Sequence, residues 1–191
     1  MKKGLSLLEI VIVIAIVAAL SLAAVPVGET LYIKAQEDAL MLALQNIRGA
    51  IARWNLDSIN TLVRVQGQSA LNEVDWATLY PPALEDLVFS GGKGYPIRWK
   101  GASESDPLAA TFYPLPYLSA IPSDPFVGEA RWKLHYLKIL ESGSYSPVTN
   151  KSEGPSSAPS IKGVFDVSCV ENPEIRRGFV IALDGTKYED W

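Results

Sequence analysis

Glu9 is the side chain in this 191-residue chain whose type and position most demand a chemical explanation. It stands at the head of an almost unbroken apolar run from Ile10 to Val27. A carboxylate inside a membrane costs about 2.5–3.5 kcal/mol on insertion scales, so it calls for a named partner. The chemistry open to it is charge pairing, because an ammonium and a carboxylate brought together at low dielectric offset each other's desolvation. Other reactive types are sparse: His135 is the only histidine and Cys169 the only cysteine. His135 has no second histidine or nucleophile in a comparable context. Cys169, beside Val167 and Val170, reads as a small buried hydrophobe, and a single cysteine excludes an intrachain disulfide. Gly91, Gly92 and Gly94 do not follow a strand and open a helix, so they make no phosphate cradle. No catalytic residue is expected, and no enzyme.

The elements that position Glu9 follow from periodicity. Residues 5–27 are long enough to span a bilayer, which takes about 20 residues, and Lys2 and Lys3 on the short side predict a cytoplasmic N-terminus. Beyond them, Leu40, Leu44, Ile47, Ile51 and Trp54 recur at alternating steps of four and three, while Glu37, Asp38, Gln45, Arg48 and Arg53 occupy other faces. With only Pro26 and Gly28 to bend it, one helix is expected from Leu5 to about Asn55, roughly 75 Å long. Its second half, residues 28–56, lays an amphipathic stripe on a domain formed by residues 57–191.

In that domain residues 57–78 carry no motif, and Tyr80 to Val88 reads as a short helix with prolines in its first turn. Ile121-Pro122-Ser123-Asp124-Pro125 is a rigid extended turn, either bracing the sheet or merely solvated. Arg131 to Tyr136 alternates as a half-buried strand with His135 pointing outward. Val164 to Val167 and Phe179 to Leu183 add strands, and Asp184-Gly185 is a hairpin signal with Thr186 to Trp191 returning. Between them residues 141–162, rich in Ser, Gly and Pro, read as an exposed loop. The fold class is α+β: a long N-terminal helix packed on a small antiparallel sheet of about four strands. The formal charge of −4, with no basic stripe, argues against nucleic acid as a partner.

The start of the chain resembles a type IV prepilin leader: Lys2 and Lys3, then Gly4, an apolar Leu5, and Glu9 four residues on. The resemblance implies cleavage between Gly4 and Leu5 by prepilin peptidase, N-methylation of Leu5 by the same enzyme, and pairing of Glu9 with the amine of a neighbouring subunit. It gives Pro26 the place of a helix-curving proline, and Ala15, Ala18, Ala19, Ala23 and Ala24 that of small residues at helix contacts. An ordinary secretory signal shares the basic start, with Ser21-Leu22-Ala23 as its cleavage site, but leaves Glu9 unexplained. Tyr80-Pro81-Pro82, the run from Tyr117 to Phe126 with Gly128 and Trp132, Gly163 to Val167, and Asp184 to Trp191 are similar to the major, G-type pseudopilins of type II secretion.

The implied function is structural: a subunit of a periplasmic pseudopilus that drives protein export across the outer membrane. Implied partners are other pilin-like subunits, prepilin peptidase and an inner-membrane assembly platform. The implied place is the inner membrane, single-pass, with a periplasmic domain. A type IV pilus subunit, used for adhesion, motility or DNA uptake, stays open as an alternative, as does a membrane-anchored enzyme or ligand-binding domain. No cofactor is expected. Many G-type pseudopilins hold calcium in an acidic loop near the C-terminus, and the acids here are Asp184, Glu189 and Asp190, with Asp166 as a neighbour. Calcium takes six to eight oxygens, and no clustered aspartate loop is present, so these stand as weak candidates only.

Overall fold

The computed structural model describes residues 7–89, 91–139, 145–149 and 161–191. Its first element, α1, is a single helix of 60 residues, Leu7–Gln66, that runs through Pro26 and Gly28 without a break. Leu40, Leu44, Ile47, Ile51 and Trp54 are buried along one face, and the same four-residue step continues through Ser58 and Leu62. That continuation explains why α1 outlasts the expected end at Asn55. Ser58 is a polar residue in the stripe, but its hydroxyl donates to the carbonyls of Asn55 and Leu79, both at 2.8 Å, so its burial leaves nothing unpaired. Gly67 stops the helix: at φ 87° it takes the left-handed conformation open to glycine, and its N–H donates to Val63 O at 2.8 Å.

Residues 57–78, which carry no motif, finish α1 and then form two 3-10 turns, Gln68–Asn72 and Trp76–Leu79. The helix expected over Tyr80 to Val88 is a single 3-10 turn, Leu84–Leu87. Ala83 before it is fully extended, so Pro81 and Pro82 lead the chain into the turn rather than begin it.

Among the described residues, five strands make two antiparallel sheets, where one sheet of about four was expected. β1 (Tyr95–Ile97) pairs with β2 (Ala110–Phe112), and three residues each are too few for alternation to register in the sequence. The second sheet has the order β4-β3-β5, with β3 at Lys133–Ile139, β4 at Tyr145–Thr149 and β5 at Ile161–Ser168. β4 and the start of β5 lie inside the stretch read as a loop. Val164 N donates to Pro81 O, and Gly163, at φ +68°, sits where a Cβ would come within 2.2 Å of Ala77 O. No other residue fits that approach.

The closing hairpin is reduced to one bridge, Ile181 to Lys187, around the Asp184-Gly185 turn, followed by a 3-10 turn over Tyr188–Asp190. In a strand Tyr188 and Trp191, three apart, would face opposite sides. The 3-10 geometry, with three residues per turn, puts both on the core side, their rings 5.1 Å apart. Helix and sheets enclose one core, in which Trp54 meets Tyr95 and Phe112 edge to face at 4.9 and 5.2 Å.

The membrane span expected over residues 5–27 is not upheld, nor is the single-pass, inner-membrane placement built on it. Among the described residues no helix is long and apolar enough to cross a membrane.

Candidate functional site: the projecting helix and its anchor

Leu8, Ile10, Val11, Ile12, Val13 and Ile14 are all exposed, as are Ile16, Val17 and Leu20. At 3.6 residues per turn, Ile10 to Ile14 alone cover the full circumference, so this half of α1 is apolar on every side. Among the described side chains, the buried positions of α1 begin at Glu37. Glu9 is exposed in its first turn, where the positive end of the helix dipole favours a carboxylate. Gly4 and Leu5 lie outside the described residues, as does the side chain of Pro26.

Two charged residues that the sequence assigns to outer faces anchor the helix. Glu37, 9% exposed, accepts from Leu183 N at 2.7 Å and from the Tyr188 hydroxyl at 2.8 Å through one oxygen. Burial and this carboxylate hold the Tyr188 phenol well above its ordinary range. Arg48 spreads over three acceptors: Asp166 Oδ1 at 2.8 Å, Val167 O at 2.8 Å and Trp191 O at 2.6 Å. Together they tie α1 to β5 and to the last residues. Period-based reading missed both, because a charge off the apolar stripe counts as solvated until long-range partners are known.

The Asp124 turn is a brace. Asp124 and Arg176 are paired at 2.5 Å, with side chains 0% and 1% exposed. The second Asp124 oxygen accepts from Phe126 N at 2.9 Å, and Arg176 Nε donates to Phe179 O at 2.7 Å. The guanidinium lies over the rings of Phe126 and Tyr188, 5.4 and 4.8 Å from their centroids. Next to this pair the buried Cys169 thiol is pushed up to about 11 by burial.

His135 is half-buried rather than outward: its Nε2 and the Ser168 hydroxyl are 2.9 Å apart, and burial lowers its pKa. Ser168 is itself 5% exposed.

Three of the acids weighed for calcium are engaged by other groups. Asp166 is held by Arg48, Asp184 Oδ1 accepts from the Thr186 N–H and hydroxyl, and Glu189 pairs with Lys187 at 3.1 Å. Among the described residues no group of three or more His, Cys, Asp or Glu side chains is arranged to hold a metal ion. Comparison with known proteins finds no matching family model, no matching curated protein and no matching solved structure.

Proposed function

We propose that this chain is a structural subunit of a helical filament of the type IV pilin-like class, best suited to a type II secretion pseudopilus. The observation that carries this reading is α1 itself: one helix whose second half is the spine of an α+β core and whose described side chains from Ile10 to Leu20 are apolar around the circumference and exposed. A helix of that kind has to be buried in something. Parallel copies packed by their first halves bury one another, and in their midst Glu9 is taken out of water. An N-terminal amine freed at Leu5 of a neighbouring copy is the counter-charge its position calls for. The leader spacing of Gly4, Leu5 and Glu9 supports the same reading.

The test is Glu9→Ala in the producing cell. The variant should accumulate with leader removal intact, its mature N-terminus at Leu5 by mass spectrometry, and should form no filaments on shearing or by microscopy. Filaments at the ordinary level from that variant would remove the amine-pairing mechanism. A mature N-terminus at Leu5 after Gly4 is replaced by a bulky residue would remove the peptidase step.

A further inference from the structure

Several polar residues of the second sheet gather around one group that changes charge near neutral pH. His135 on β3 stands directly opposite Asp166 on β5, and Lys133 opposite Ser168. Residues paired in this way, and residues two apart on one strand, share a face. Lys133, His135, Asp166 and Ser168 are therefore neighbours on one side of the sheet. Arg48 reaches the group from α1, its Nε donating to Asp166 Oδ1 and its Nη2 to Val167 O and Trp191 O. The imidazole is held through Nε2, 2.9 Å from the hydroxyl of the buried Ser168.

The charged groups that face the imidazole come from three elements: Arg48 from α1, Lys133 from its own strand and Asp166 from β5. Lys133 is itself paired with Glu171, just past the end of β5. The other elements packed against β3 bring no charge. Its register partner on β4 is Thr149, and the Trp76–Leu79 turn contains no ionisable residue.

A neutral imidazole suits these surroundings. Protonation sets a further positive charge beside Arg48 and Lys133, and the Asp166 carboxylate must then serve His135 as well as Arg48. Burial opposes the charged form most strongly; Asp166 favours it, and Lys133 and Arg48 oppose it, with the net result that the imidazole titrates below its ordinary value. Proton binding and the grip of Arg48 are thus coupled, and coupling is reciprocal. Whatever Arg48 adds to the difficulty of protonating His135, protonation takes from the grip of Arg48.

We propose that His135 makes the tie between α1, β5 and the closing segment sensitive to acid: its protonation weakens the hold of Arg48 on Asp166, Val167 and Trp191. The tie is complete above the pKa of an unfolded histidine, where the imidazole is neutral. It weakens as pH falls through the lower value of the folded chain. Nothing in this depends on the filament reading.

The test follows the imidazole protons by nuclear magnetic resonance in the full chain, where a single histidine identifies its own signal. In wild type the signal should titrate at lower pH than in the same chain unfolded by urea. In Arg48→Met it should titrate at higher pH than in folded wild type, since the variant removes a cation and frees Asp166. Titration in Arg48→Met at the wild-type pH, or below it, overturns the proposal. Should Arg48→Met lose the near-ultraviolet circular dichroism of wild type, a second measurement decides alone, without a change at Arg48. Urea midpoints compared at about pH 8 and about pH 5 should fall further in wild type than in His135→Gln, whose amide keeps a partner for the Ser168 hydroxyl and carries no charge. Equal falls in the two chains overturn the proposal as well, because the carboxylates common to both then account for the whole pH dependence.

Discussion

Removing the carboxylate of Asp124 tests whether the buried pair is what holds the Pro-flanked turn to the rest of the domain. In Asp124→Ala the Arg176 guanidinium, 1% exposed, keeps its charge and loses its carboxylate partner. Breaking a buried pair from one side costs about 3–5 kcal/mol, because an uncompensated charge stays behind. The Phe126 N–H, which donates to Asp124 Oδ1, is orphaned as well, which pushes the cost toward the upper end. For a chain of this length each kcal/mol moves the midpoint about 2–4 °C, so the melting temperature should fall by about 6–20 °C. The assay is thermal unfolding followed by near-ultraviolet circular dichroism, which reads the aromatic cluster of Phe126, Tyr188 and Trp191. Two further variants separate charge from packing. Asp124→Asn keeps an oxygen for Phe126 and removes only the charge, so it should recover part of the loss. Asp124→Leu combined with Arg176→Met removes both charges and should melt above Asp124→Ala, since an apolar replacement of similar volume is often neutral or better. A fall of less than about 3 °C in Asp124→Ala, or a double variant no more stable than the single, would refute the reasoning.

Gly163→Ala should be among the most damaging single-methyl additions in the domain. The new Cβ meets the Ala77 carbonyl at 2.2 Å in a backbone conformation already unfavourable to alanine, so a loss of several kcal/mol is expected, read as a lower urea midpoint. Alanine unfolding at the wild-type midpoint would show that β5 and the Trp76–Leu79 turn are not in such close contact. Cys169 should resist alkylation in the folded chain at pH 8 and react at once in denaturant. Its thiol is raised from 9.0 to about 11 by burial, so the folded state favours the neutral form. Its contribution to stability is therefore complete below about pH 9 and lost as pH rises toward 11, and denaturant midpoints across that window should fall in wild type more than in Cys169→Ala. Equal slopes in the two proteins would contradict the burial.

Periodicity reaches α1 because burial there repeats: Leu40, Leu44, Ile47, Ile51 and Trp54 meet one core at every turn, and a repeating environment leaves a repeating pattern. It fails where an element is short or its partner distant. β1 and β2 have three residues each and leave no pattern long enough to detect. β4 sits in a segment rich in Ser, Gly and Pro, and is a strand because β3 offers an edge to pair with rather than because its residues favour one. Of the candidate site, Glu9 is legible because a lone acid heading an apolar run is anomalous in one dimension. Glu37, Arg48 and Arg176 are not, since each looks like an ordinary surface charge until Tyr188, Trp191 and Asp124, from 52 to 151 residues away, are brought beside them.

By itself, then, the sequence determined what depends on neighbours along the chain: the apolar first half of α1 with Glu9 at its head, the stripe from Leu40 to Trp54, the rigid turn before Phe126, and the single cysteine. Only the tertiary structure decided what depends on distant partners. It ended the helix at Gln66, divided the strands into two sheets, turned the closing segment so that Tyr188 and Trp191 face inward together, and buried Asp124 against Arg176. The physical reason is the range of the forces. Backbone preference and hydrophobic period act over a few residues, whereas desolvation of a charge and the pairing of a strand edge take their sign from whatever the fold sets opposite.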